Sequence, residues 1–231
     1  LEVRMDGYHP SHDLWDDLVR WRGTDNMFFD IIENPSFIHK TIDKLTQIQH
    51  AILDQAEKKN LLSGIQIPQN VAGYWTDELP QKDVNPNKVR AKDIWGCGKA
   101  QIFSTVSPET HNELDINYSK GWYERFGLVT YGCCEPLDDR LDYVKRINNV
   151  RKISMSPWVK YYIYWTKPNP AYLQESGWDP GIIKDEIIDI INACKKYDIP
   201  LEIAMKDVST VSNNPQHLWE WSKIMRDIVG Y

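Results

Sequence analysis

The sequence predicts an α/β fold with a parallel sheet. Three observations carry that reading: amphipathic helices that open on Pro, short apolar runs between them, and a length of 231 residues, which allows an α/β barrel at the low end of its range. Five Pro follow a residue able to cap a helix or start a turn, at Asn34-Pro35, Ser107-Pro108, Glu135-Pro136, Asp179-Pro180 and Asn214-Pro215. Asn, Ser and Asp offer a side-chain oxygen to a free backbone N–H, and Pro is pre-set for the first helical position. After Asn34 the residues Phe37, Ile38, Ile42, Leu45, Ile48 and Ile52 recur at helical spacing, and the helix ends near Leu61. Ile182, Ile183, Ile187, Ile190, Ile191 and Cys194 do the same after Asp179, and Leu218, Trp221, Ile224, Met225 and Ile228 after Asn214.

Between the helices, Gln101–Val106, Gly127–Tyr131, Lys152–Met155, Tyr161–Trp165 and Leu201–Met205 read as strands, with Ser63–Ile67 a weaker sixth. Alternation of strands and helices places the helix starts on the rim where α/β folds carry chemistry. Pro80–Asp93 reads as one long ordered loop on that rim. Lys152–Met155 and Tyr161–Trp165 are separated only by Ser156–Lys160, whereas parallel neighbours need a crossover of about a dozen residues. Either these two runs are not parallel neighbours, or a connecting helix is absent from the chain. Five or six strands, an opening Leu1 in place of Met, and the short crossover give the expectation that the chain is the C-terminal two-thirds of a larger barrel.

The charge of 27 Lys+Arg against 33 Asp+Glu, net −6, argues against a nucleic-acid or anionic-membrane surface. Ten Trp and twelve Tyr fill cores but also line pockets for flat or apolar ligands. Four Cys, two of them adjacent, read as reduced thiols of a cytoplasmic protein. No apolar run approaches a membrane span, and no apolar leader opens the chain.

The densest cluster of chemistry is Tyr131-Gly132-Cys133-Cys134-Glu135-Pro136 at the end of a strand. Cys133 and Glu135 there offer soft and hard ligands to Zn²⁺; the alternative is a tight turn with an inert buried thiol. Trp95-Gly96-Cys97-Gly98-Lys99-Ala100-Gln101 suggests close backbone approach, with Cys97 either a third thiolate or a small packed residue, and Gln101 beside the pocket. Lys206 and Asp207 follow a strand, as a general acid–base pair or as a surface ion pair. Lys167 sits at another strand tip, able to meet a carboxylate. Ser154, Ser156 and Trp158 border the same rim, and Tyr74 and Trp75 form an aromatic wall beside Asp77 and Glu78. His39 and His111 fall inside predicted helices and read as ordinary, while His217 is a candidate proton donor near the rim.

These motifs resemble the uroporphyrinogen decarboxylase superfamily, in particular its uncharacterised anaerobe-type branch. The matching stretches are Trp95-Gly96-Cys97-Gly98, Phe103 to Glu109, Tyr131 to Pro136, Lys152 to Trp158, and Lys206-Asp207-Val208-Ser209-Thr210, so the likeness covers nearly the whole chain. It implies a (β/α)8 TIM barrel with its site at the C-terminal ends of the strands. The superfamily holds tetrapyrrole decarboxylases and zinc-dependent methyltransferases that act with corrinoid proteins and thiols. In the methyltransferases a His-x-Cys and a later Cys bind zinc. Here Tyr131-Gly132-Cys133 keeps the Cys without the His, and the later position reads Lys206-Asp207.

The leading expectation is therefore methyl transfer with a corrinoid partner protein or a thiol, with Cys133, Glu135, Lys206 and Asp207 as catalytic candidates and zinc on Cys133 and Glu135. The substrate-binding candidates are Tyr74, Trp75, Cys97, Gln101, Tyr131, Ser154, Ser156, Trp158 and Lys167. A second expectation is decarboxylation of a tetrapyrrole or other polycarboxylate, with Lys206 and Lys167 holding carboxylates and Asp207 handling the proton. A third is a non-catalytic corrinoid- or tetrapyrrole-binding protein, with Tyr74, Trp75 and Trp158 as its stacking wall. The partners expected are a small-molecule or tetrapyrrole ligand, a corrinoid protein, and a second copy of the chain in a homodimer.

Overall fold

A computed structural model describes residues 7–65, 76–154, 165–166, 168–174, 177–197, 201–205 and 208–230. The chain divides after Ser154 into two units. In the first, β1 (Ser11–His12), β2 (Trp95–Gly98), β3 (Leu128–Tyr131) and β4 (Val150–Ile153) form a sheet in the order β1-β2-β3-β4, and every neighbouring pair is parallel. The register aligns Ser11, Cys97, Thr130 and Lys152 in one row across the sheet, and His12, Gly98, Tyr131 and Ile153 in the next. Successive side chains of a strand point to opposite faces, so these two rows lie on opposite sides of the sheet.

The helix that opens on Pro35 starts where the sequence predicts, but Asn34 does not cap it through its side chain, and its amide donates to Asp30 instead at 3.1 Å. α1 (Leu14–Arg22), α2 (Thr24–Glu33) and α3 (Pro35–Lys58) connect β1 towards β2. Between β2 and β3 lies one helical stretch, α4 (Pro108–His111), a π-helical turn (Asn112–Ile116) and α5 (Asn117–Tyr123). Ser107 opens it by accepting the Thr110 N–H on its Oγ at 3.2 Å. The short α6 (Leu141–Val144) precedes β4. Leu14, Trp15 and Leu18 of α1, Met27 of α2, and Ile38 and Ile42 of α3 pack with Ala100, Phe103 and Leu114 into one buried cluster. Trp15 lies 4.5 Å from the Phe103 ring, and its indole N–H donates to the Leu114 carbonyl at 3.1 Å. Burial contributes about 1.5–3 kcal/mol for each large side chain in such a cluster.

The sequence places a strand at Gln101–Val106, and the structure places it earlier, at Trp95–Gly98, with a 3-10 turn over Gln101–Thr105. The glycines that read as a turn are strand residues on which aromatic rings rest. A Cβ on Gly96 would come within 2.6 Å of the Phe126 ring, and one on Gly98 would overlap the Tyr123 hydroxyl. The turn that follows is held by Arg140, whose guanidinium donates to the carbonyls of Phe103 and Val106 at 2.5 and 2.6 Å. Residues 63–65 of the weak sixth strand are not strand; Leu62 beside them makes one parallel bridge to Tyr8. β1, α1 and α2 have no counterpart in the sequence expectation.

In the second unit β5 (Trp165–Thr166) and β6 (Glu202–Ile203) pair in parallel, and α7 (Pro180–Lys196) and α8 (Gln216–Val229) accompany them. Asp179 caps α7 through Oδ1, which accepts from Gly181 and Ile182 at 2.9 and 3.1 Å. Ile183, Ile187 and Ile190 of α7 meet Met225 of α8. His217 stacks on Trp178 at 4.6 Å and its Nδ1 lies 2.9 Å from the Leu173 carbonyl. Among the described residues β4 belongs to the four-stranded sheet and β5 to the two-stranded one, while residues 161–164 of the second run lie outside the described residues. The fold is α/β with a four-stranded parallel sheet, and no helix of the described residues is long and apolar enough to cross a membrane.

Candidate functional site

In open and closed parallel sheets, ligands meet the carboxyl ends of the strands, because loops rather than hydrogen-bonded backbone end there. At that end of the first unit β1 delivers Asp13, β2 Lys99, β3 Cys133 and Cys134, and β4 Ser154. Lys99 Nζ lies 2.8 Å from Asp13 Oδ2, and the Lys99 N–H donates to the His12 carbonyl at 3.2 Å. Burial pushes the Lys99 amine down, but the Asp13 carboxylate outweighs it and the ammonium is held above its ordinary range. The rim therefore carries a fixed cation beside its carboxylate.

The tip of β3 is built by a glycine and a buried acid. Gly132 has φ 92°, and a Cβ there would stand 2.6 Å from the Leu137 side chain and 2.7 Å from the Ser154 carbonyl. Its N–H donates to the Gly98 carbonyl at 2.8 Å. Glu135 then turns back: Oε2 accepts the Cys133 N–H at 2.8 Å and Oε1 the Ala100 N–H at 3.3 Å, tying the tips of β2 and β3 together. Burial raises the Glu135 carboxyl above its ordinary range, and three backbone N–H donors, its own with those of Cys133 and Ala100, offset part of that rise. From the other side the Ser154 hydroxyl donates to the Cys133 carbonyl at 3.0 Å. Cys133 is buried, Cys134 is exposed, and their Sγ atoms are 3.4 Å apart.

Beneath the rim, on the face that bears His12 and Tyr131, lies a buried polar layer. The Tyr131 hydroxyl is 2.6 Å from Asp115 Oδ2 and 2.6 Å from His111 Nε2. Its single proton goes to the carboxylate, so His111 Nε2 carries a hydrogen and donates to the phenol oxygen. Burial works against the Asp115 charge, but the His111 ring 3.6 Å away and the Tyr131 hydroxyl outweigh it and hold the carboxyl below its ordinary range. Burial, and then the Asp115 charge, push the Tyr131 phenol well above its ordinary range, so it stays a donor. His12 joins this layer 5.3 Å from the Trp122 ring and 5.4 Å from Tyr123, with neither ring nitrogen hydrogen-bonded among the described residues. Burial lowers its pKa against the pull of Asp115 and Asp13, so the ring stays neutral to a lower pH than an ordinary imidazole does.

The structure thus brings Tyr131, Cys133, Glu135 and Ser154 together at the tips of β3 and β4. Cys97 is buried in the row of Ser11, Thr130 and Lys152, on the opposite face from Tyr131. Gln101 turns away to α1, where its amide donates to Asp16 at 2.9 Å. Tyr74, Trp75, Ser156, Trp158, Lys167, Lys206 and Asp207 lie outside the described residues. His39 bonds Tyr118 at 2.8 Å as a helix-to-helix contact, but His111 is a member of the buried layer. The sequence reading misses Asp13 and Lys99, because β1 is two residues long and shows no period, and it misses Asp115, although His111 and Asp115 stand at i, i+4 on one helix.

For zinc, Cys133 and Cys134 provide thiols, while both oxygens of Glu135 are engaged by backbone donors. No group of three or more His, Cys, Asp or Glu side chains is placed to hold a metal among the described residues. Comparison with family models, curated proteins and solved structures finds no match for this chain.

Proposed function

We propose that this chain forms part of a (β/α)8 barrel of the uroporphyrinogen decarboxylase type and transfers a methyl group between a corrinoid protein and a thiol. The observation that supports this reading best is the β3 tip, where a backbone turn built by Gly132, Glu135 and Ser154 presents the Cys133 and Cys134 sulfurs at the rim. Methyl transfer to sulfur needs a thiolate whose lone pair forms the new S–CH3 bond while the pair of the breaking bond stays with the donor. Lys99 is the rim cation that would meet an acidic group of the methyl donor or acceptor. Zinc, when bound, would lower the pKa of a coordinated thiol. Cys133 would be its protein thiolate in this reading. None of the four cysteines is in a disulfide, which suits the reducing cytoplasm we assign to the protein.

Metal content tests the zinc arm: about one equivalent of zinc in the purified protein, lost in Cys133→Ser, is expected. Less than about one-tenth equivalent, unchanged by that substitution, removes it. A second reading, decarboxylation of a tetrapyrrole or other polycarboxylate, is favoured by the Lys99–Asp13 pair, a cation suited to a carboxylate. It predicts turnover of a porphyrinogen that Lys99→Met weakens chiefly through KM, and no turnover at all would sink it.

A further inference from the structure

The two thiols at the tip of β3 are placed to react with each other. Neither Cys133 nor Cys134 is in a disulfide, their Sγ atoms are 3.4 Å apart, and one is buried while the other faces solvent. We propose that the pair is a thiol–disulfide exchange site for low-molecular-weight disulfides, with Cys134 as the attacking thiol and Cys133 as the resolving one. The proposal needs only these two sulfurs and stands apart from the methyl-transfer reading.

The exchange balances with the disulfide as oxidant. The Cys134 thiolate attacks one sulfur of RS–SR, forming the mixed disulfide and releasing one RS⁻. Cys133, in contact with that sulfur, displaces the second RS⁻ and closes a vicinal Cys133–Cys134 disulfide. Two thiols lose two electrons and two protons, and RS–SR becomes two RSH. Attack falls to Cys134 because the other three thiols are buried.

The product is strained by its sequence position. Consecutive Cα atoms stand about 3.8 Å apart, shorter than the roughly 4.4–6.8 Å an ordinary disulfide spans. A bridge of that kind is easily reduced and belongs with the labile, regulatory disulfides rather than the structural ones. Closing the ring turns the peptide between the two cysteines. The carbonyl of that peptide, on Cys133, accepts from Ser154, so oxidation acts directly on a bond that ties the β3 tip to β4, with the Glu135 bond to the Cys133 N–H one peptide away.

Treatment of the purified protein with glutathione disulfide, followed by alkylation and mass spectrometry, tests this. In the wild type we expect a loss of two hydrogens, with Cys133 and Cys134 protected, Cys97 and Cys194 still alkylatable after unfolding, and full reversal by reduced glutathione. Cys134→Ser, at an exposed position, is expected to leave every remaining thiol alkylatable, while Cys133→Ser stops at a stable glutathione adduct on Cys134. A wild-type protein that stops at that adduct, pairs Cys134 between copies, or leaves both thiols alkylatable overturns the proposal.

Discussion

Tyr131 shows how one side chain is fixed by its burial. Its hydroxyl is the donor that keeps Asp115 charged in an apolar surrounding, and His111 in turn donates to it. Hydrogen bonds to buried charges contribute about 1.5–3 kcal/mol, so Tyr131→Phe is expected to lower stability by about 2 kcal/mol, read from the urea midpoint. Asp115 has a depressed folded pKa, so its contribution is complete above the unfolded carboxylate value near pH 3.9 and is lost as pH falls through the folded value. Glu135, raised by burial, has the opposite sign: its contribution is present below about pH 4.3 and is lost as pH rises through its folded value. His12 acts in a third window. The unfolded imidazole takes up a proton below about pH 6.5 that the folded one refuses, so stability falls as pH drops from there. His12→Gln is expected to flatten this part of the profile; urea midpoints whose slope below pH 6.5 matches the wild type would contradict the assignment.

Among the elements, the glycines of β2 decide how closely α5 approaches the sheet. Gly98→Ala sets a methyl group against the Tyr123 hydroxyl, inside a fully buried ring pair, and overpacking of that kind costs about 1–3 kcal/mol. The far-UV thermal transition should fall accordingly, and an unchanged transition would mean that the helix is free to retreat. In the second unit Asp179→Ala removes the acceptor of two N–H groups and costs about 1 kcal/mol of α7 stability. α3, α7 and α8 were legible because Asn34, Asp179 and Asn214 each precede Pro and an apolar stripe, although Asn34 makes no side-chain cap on its helix while Asp179 does. β2 was misplaced because Gly96 and Gly98 carry no strand signal of their own; the reason they are glycine lies in Phe126 and Tyr123, which are distant in sequence. Of the site, Cys133, Glu135, Tyr131 and Ser154 were legible from their strand tips, but Glu135 as a backbone anchor and His111 as a buried donor needed the third dimension.

For the whole molecule, the parallel order β1-β2-β3-β4 gathers Asp13, Lys99, Cys133, Cys134 and Ser154 at one end of one sheet. The buried His111–Tyr131–Asp115 chain below it fixes the base of the β3 tip, and in the proposed function the thiols and the cation act above it. That division predicts that Tyr131→Phe changes stability more than substrate binding, whereas a change at Cys133 alters chemistry. The most direct measurement is methyl transfer from a methylated corrinoid protein to a thiol, followed by the corrinoid spectrum, with wild type and Cys133→Ser compared. The account predicts transfer above the uncatalysed rate and a loss of about 100-fold in kcat/KM on substitution, equivalent to about 2.7 kcal/mol. Equal rates for the two proteins, or no transfer above the uncatalysed rate, would contradict it.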